Sequence, residues 1–413
     1  MRIALLVGGA PPNPTTGGGA VTAWTVMSQL LDFGHDVSVI VLADPEHVTA
    51  PEREQHVRDR GAKVITVPSR APAVFEVLPR HVGARVRRAV DPPPETLYPT
   101  LADRGAVRDA VNGSGAEAAF VYHFEALAAS RDVAVPRFAA VGDPPQLSAL
   151  YHFRRGLPSL RGLTRLQAQL RRQPRLLVQM LNECAASGAF AAHHAAWLRR
   201  AGASGCEYLR TPVPDPGPTN RREADVPRIL LVGHLKGAVT LEGLQRFASG
   251  VLPRLEDALG PEGFEVRLAG GYDPPPQLAR LLDRPSVRLL GHVEDAAPEF
   301  LSAQVMLVPN SITLGIRVRI ITAFAYGSCI VTDRANTLGI PELEHERNAL
   351  VAHTPDGLAR ETLRALSDET LRARLGTGAR ETYERAFQPR VSVGRIADTL
   401  ERIASGRRAT VSA

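Results

Sequence analysis

Lysine is nearly missing from this chain: only Lys63 and Lys236 stand among its 49 basic residues, the rest being arginine. With abundant Ala, Gly and Pro, that bias reads as high-GC coding. The net charge of +6 is small for 413 residues, and no nucleic-acid-binding motif accompanies it, so a nucleic-acid partner is not expected. Cysteine is scarce as well. Cys184, Cys206 and Cys329 are odd in number and show no CxxC or metal spacing, which excludes a disulfide framework and a zinc site. No run approaches the ~20 apolar residues that span a bilayer. The opening Met1–Val7 breaks at once into Gly8-Gly9-Ala10-Pro11-Pro12, which suits a first buried strand better than a cleaved leader. A cytoplasmic protein is expected.

What is present is enough apolar material, 44% of residues, for two cores. Strands are predicted at Arg2–Val7, Asp36–Leu42, Ala62–Val67, Ala118–Tyr122 and Arg137–Val141. A helix carrying Val21, Trp24, Met27, Leu30 and Leu31 on one stripe follows the first strand and ends at Gly34. Short apolar strands alternating with helices imply a parallel sheet covered on both faces. The prolines of Thr211–Pro218 lack amide donors, so that stretch is read as a linker. The pattern then restarts, with strands at Arg228–Val232, Glu265–Ala269, Val287–Leu290, Val305–Val308 and Ile330–Thr332, and one helix around Leu241–Leu259. The expected domains are 1–215 and 216–390, with 391–413 a helix and tail returning to the first. Ligands of such sheets bind beyond the carboxyl ends of the strands, so two Rossmann-like halves are expected to face one cleft.

Three places carry the chemistry. Gly17-Gly18-Gly19 lies between the first strand and helix, where glycine lets a backbone approach phosphate and a helix start supplies amides; a plain flexible loop is the competing reading. In the second half, Val308–Gly327 runs strand, loop, helix, and the loop meets the helix near Gly315. Arg317 and Arg319 fall in or near the first helical turn, where guanidinium forks suit diphosphate oxygens; solvated arginines are the bland alternative. The arginine-rich stretch Leu157–Leu177 spaces Leu160, Leu163, Leu166 and Leu170 near helical period. A basic amphipathic helix rests on an anionic membrane or holds an anionic acceptor, but a solvated face is the preferred reading.

The Val308–Gly327 segment resembles the signature of family-4 retaining glycosyltransferases, which have the GT-B fold. Leu338-Gly339-Ile340-Pro341-Glu342-Leu343 and Asn348-Ala349-Leu350-Val351 resemble that family's Gly-Gly-x-x-Glu and Asn-Gly-Leu-Leu-Val stretch, and Ala191–Asp215 is similar to its last first-domain helix, strand and turn. The resemblance implies transfer of a sugar from a nucleoside diphosphate donor to an acceptor hydroxyl, with retention and without a cofactor. Arg317, Arg319, Lys236 and helix-terminal amides would hold the departing diphosphate. No metal is needed if those cations neutralise it, and no D-x-D stands in a fitting place. It carries Gly233, Thr313, Leu314, Gly315, Ile316, Thr322 and Glu342 over to the donor side. His123 matches the histidine that faces the donor sugar and is taken as catalytic with Arg317. Asp143, after a strand end, orients an acceptor hydroxyl or merely forms a turn before Pro144.

One departure stands out. The family has two glutamates eight positions apart, where this chain has Leu314 and Thr322. Leucine offers no polar group, and threonine cannot chelate two hydroxyls as a carboxylate does. That keeps two further readings open: a non-catalytic sugar-nucleotide or carbohydrate binder, and a GT-B-fold sugar-nucleotide epimerase.

Overall fold

The computed structural model describes residues 1–15, 18–43, 54–70, 101–144, 173–235 and 237–406. The chain divides into two units, Met1–Leu209 with Val393–Ala413, and Arg210–Ser392. The arginine-rich stretch lies outside the described residues up to 172, as do Gly17 and Lys236.

The first unit is built on β1 (Arg2–Gly9), β2 (Asp36–Ala43), β3 (Lys63–Arg70), β4 (Leu101–Ala102), β5 (Ala118–Tyr122), β6 (Arg137–Val141), β7 (Ala186–Ala189) and β8 (Cys206–Tyr208). They form one sheet in the order β4-β3-β2-β1-β5-β6-β7-β8. Every pair is parallel except β3 with β4, so the expectation of a wholly parallel sheet is corrected at one edge. Ile3–Val7 are all buried, with Ala4 and Leu6 entering the core shared with Val121 and Val141. The first helix starts at Gly18, so Gly18 and Gly19, expected in the loop, form its first turn instead. Its buried residues are Thr22, Ala23, Thr25, Val26, Met27 and Leu30; Trp24 and Leu31 lie at the margin of the predicted stripe.

The second unit carries β9 (Arg228–Val232), β10 (Glu265–Ala269), β11 (Val287–Gly291), β12 (Val305–Val308), β13 (Ile330–Asp333) and β14 (Leu350–Ala352). Their order is β11-β10-β9-β12-β13-β14, parallel throughout. Side chains alternate between two cores: Ile229 and Leu231 enter one, Leu230 the other, because successive residues of a strand face opposite ways. Both faces are therefore packed by helices. The helix expected around Leu241–Leu259 runs without a gap from Ala238 to Leu259, with a π turn at Phe247–Val251. Pro253, just after that turn, lacks the amide that a regular α-helical bond would use.

Thr211–Pro218 has neither helix nor strand, as its prolines dictate. It is nonetheless built into the second unit. The Val213 carbonyl accepts from the buried Tyr383 hydroxyl at 3.1 Å, and Asp215 accepts from Gln388 at 2.8 Å and Arg380 at 3.1 Å. Burial pushes the Asp215 carboxyl up, but Gln388, the Gly217 amide and Arg380 outweigh it and hold the carboxyl below the usual carboxylate range. The bonds a proline-rich backbone cannot make with itself come from side chains in and just after the helix Glu369–Ala386.

Candidate functional site

Each sheet reverses its strand order once, between β1 and β5 in the first unit and between β9 and β12 in the second. At such a reversal the loops leaving neighbouring strands diverge, which opens a crevice beyond their carboxyl ends. Residues named from sequence gather at both places.

In the second unit the centre is Arg319. The helix Val318–Ala325 buries Ile320, Ile321, Ala323, Phe324 and Ala325, leaving Arg319 and Thr322, three residues apart, on another face. The partly buried Arg319 guanidinium donates to the Val232 carbonyl at 2.7 Å, the Asn310 side-chain oxygen at 2.5 Å and the Thr240 hydroxyl at 3.5 Å. Those partners lie at the end of β9, on the loop after β12 and on the helix Ala238–Arg246, and all are neutral. Desolvation, aided by the nearby Arg317 charge, pushes its pKa down to about 9, so it stays a cation at pH 7. A fixed cation held only by neutral acceptors leaves its charge available to an anion. Gly233 is required beside it: a Cβ there would meet the Arg319 guanidinium and lie 2.7 Å from the Thr240 methyl.

Asn310, which the sequence reading passed over, ties this centre together. Its amide donates to the Val239 carbonyl at 2.5 Å while its oxygen receives Arg319, and its backbone carbonyl receives Asn336 at 3.3 Å. Glu242 was also missed; it accepts from the Ser311 amide at 3.2 Å and hydroxyl at 2.6 Å. A polar residue two positions after an apolar strand was the available signal for Asn310; Glu242 gave none, because a glutamate on a helix is ordinarily solvated.

The other residues expected on the donor side make contacts of their own. Gly315 turns with φ +69°, a conformation suited to glycine. Arg317, at the cap of the helix, folds back to donate to the Ile312 carbonyl at 3.2 Å and to the Leu314 carbonyl, bracing its own loop. Thr313 is exposed, Ile316 is half-buried and Leu314 is buried. The Thr322 hydroxyl donates to the Val318 carbonyl at 3.2 Å, within its own helix. Glu342 accepts from Arg210 at 2.8 Å, an ion pair inside the second unit.

In the first unit, His123 directly follows β5 with φ +71°, a left-handed conformation that histidine tolerates better than most residues. Its ring meets the Tyr122 ring edge-on at 4.0 Å. A Cβ on Gly142, after β6, would lie 2.9 Å from the imidazole, and one on Gly19 would lie 3.4 Å from Nε2. Two glycines thus make room for His123 between the loop after β6 and the start of the first helix, where Gly18 and Gly19 are exposed. Desolvation pushes the His123 pKa down to about 4, so the imidazole is neutral at pH 7. Burial pushes the Tyr122 phenol up, keeping it protonated. Asp143, half-buried, faces His194 Nδ1 at 3.3 Å. Sequence alone gave no sign of that pair, which joins the loop after β6 to the helix Ala192–Arg200.

Among the described residues no group of three or more His, Cys, Asp or Glu is placed to hold a metal ion, and no helix is long and apolar enough to cross a membrane.

Two α/β units, each a doubly wound sheet with its residues gathered at the strand-order reversal, have the GT-B fold of glycosyltransferases. Residues 226–368, within the second unit, match the family of glycosyl transferases group 1. The chain is similar in structure to sucrose-phosphate synthase from Thermosynechococcus elongatus at a TM-score of 0.66 and 16% identity, over 98% of this chain and 99% of that one. HepE from Anabaena, solved with UDP and glucose, gives 0.66 and 14% over 97% and 99%. A glycosyltransferase from Rickettsia africae gives 0.65 and 11% over 97% and 98%. No protein of curated function matches the chain by sequence.

Proposed function

We propose that the chain transfers a glycosyl group from a nucleoside diphosphate sugar to an acceptor hydroxyl, with retention of anomeric configuration. The bond from the anomeric carbon to the diphosphate oxygen breaks, a bond to the acceptor oxygen forms on the same face, and the acceptor proton leaves with the diphosphate. The observation that carries this reading is Arg319, a cation fixed on neutral partners at the strand-order reversal of the second unit. Positioned positive charge stabilises the diphosphate as it departs, which is where this reaction builds its charge. HepE, of similar fold, has been solved with UDP-glucose, which supports the same donor class here. His123, neutral at pH 7, is assigned to the donor sugar and Asp143 to the acceptor. The reading also makes the reaction metal-independent and cytoplasmic.

Purified protein should release nucleoside diphosphate from at least one of a panel of UDP-, GDP-, ADP- and TDP-sugars, and Arg319→Met should abolish that release. A wild type that binds nucleotide yet neither transfers nor hydrolyses any donor would replace this reading with a second one. That second reading is a non-catalytic sugar-nucleotide binder, favoured by Leu314 being buried and by the Thr322 hydroxyl being spent on its own helix.

A further inference from the structure

Among the described residues only His123, Tyr272 and Glu346 hold a positive φ without being glycine. Such a backbone persists only where its surroundings impose it. Glu346 is held by Arg364 and Arg374, and His123 is packed against the loop after β6. Tyr272, at φ +73°, presents a ring that is 53% exposed, the one exposed phenyl or phenol ring among the described residues of the second unit.

Its position is closely defined. Tyr272 follows Gly270-Gly271 after β10, and three backbone bonds lace this loop to its neighbours: Gly233 N to Ala269 O at 3.0 Å, Leu235 N to Gly271 O at 3.3 Å, and Gly270 N to Gly291 O at 2.8 Å. The Tyr272 ring meets His234 at 4.8 Å, inclined by 63°. His234 is two residues from Val232, whose carbonyl holds the Arg319 guanidinium. One crest therefore carries a fixed cation followed by two aromatic rings. A nucleoside diphosphate has the matching polarity, an anionic end and a flat π-faced end. An exposed aromatic ring receives a base of any kind, because every base has a π face.

We propose that Tyr272, edged by His234, is the platform on which the nucleobase of the donor stacks. The left-handed backbone turns the ring outward, where an ordinary residue on a polar loop would leave no apolar surface. This assignment rests on the nucleotide-donor reading above and specifies which part of the donor the β10 loop holds.

Isothermal titration with UDP, ADP and GDP, and separately with inorganic pyrophosphate, tests it on three proteins: wild type, Tyr272→Phe and Tyr272→Gly. Glycine accepts φ +73° without strain, so it removes the ring and keeps the loop. Tyr272→Phe should retain the wild-type affinity. Tyr272→Gly should bind the nucleoside diphosphates about tenfold more weakly and pyrophosphate as tightly as before. Unchanged nucleoside diphosphate affinity in Tyr272→Gly overturns the platform, and so does an equal loss for nucleotide and pyrophosphate, which would mark the residue as a brace for the phosphate loop. A wild type that binds none of these three nucleotides, nor TDP, overturns the donor reading itself, and this inference with it.

Discussion

His123 ties the geometry of the first unit to a pH dependence that can be worked through. Wedged between Gly19 and Gly142 and against Tyr122, its imidazole is desolvated, and its pKa falls from the ordinary 6.5 to about 4. A histidine with a native pKa below its unfolded one binds fewer protons when folded. Its neutral form therefore supports the fold above about pH 6.5, and that support is lost as pH falls toward 4. From the two pKa values the loss is about 1.4 kcal/mol by pH 5.5 and about 3 kcal/mol by pH 4. His123→Asn removes the titration while keeping a side chain that accepts a left-handed backbone. Urea unfolding of both proteins at pH 7, 5.5 and 4 should show wild type losing more stability than His123→Asn by these amounts, all other titrations cancelling in the difference. Two-dimensional NMR of the imidazole gives the pKa directly. Parallel acid profiles, or an imidazole titrating near 6.5, would refute the burial argument and with it the neutral histidine at the donor sugar.

Other expectations concern the second unit. Gly233→Ala should drive the Arg319 guanidinium off the Val232 carbonyl and lower pyrophosphate affinity about tenfold with circular dichroism unchanged, whereas wild-type affinity would mean Arg319 does not define the anion site. Arg317→Ala and Lys236→Ala should each weaken nucleoside diphosphate binding by roughly 1–3 kcal/mol in calorimetry; no change in either folded variant removes both from the site. Turnover should survive EDTA, and a complete loss restored by magnesium or manganese would contradict the metal-independent reading. Thr322→Glu should slow turnover of the natural donor, because it forces a carboxylate in place of a half-buried hydroxyl. If it instead improves nucleotide binding without harming turnover, Thr322 is not an adaptation of a working enzyme.

The strands of both sheets were legible because a parallel strand buried on both faces must be a near-continuous apolar run. Ala118–Tyr122, Arg137–Val141, Arg228–Val232, Glu265–Ala269 and Val305–Val308 were placed to the residue. Strands that were missed carry weak signals: Ala186–Ala189 is all small residues, Leu101–Ala102 is two residues long, and Leu350–Ala352 is three. Arg317 and Arg319 were legible as cations near a helix start, but their difference was not. One braces its own loop; the other reaches a carbonyl 87 positions away. The neutral state of His123 depends on Gly142 and Gly19, which are distant in the chain, and the exposure of Tyr272 depends on backbone bonds from loops on either side of it. Periodicity and turn chemistry act between neighbours in sequence, so a single chain displays them. Desolvation, an ion's partners and an imposed backbone angle arise between segments that meet only after folding, and those were decided by the tertiary structure alone.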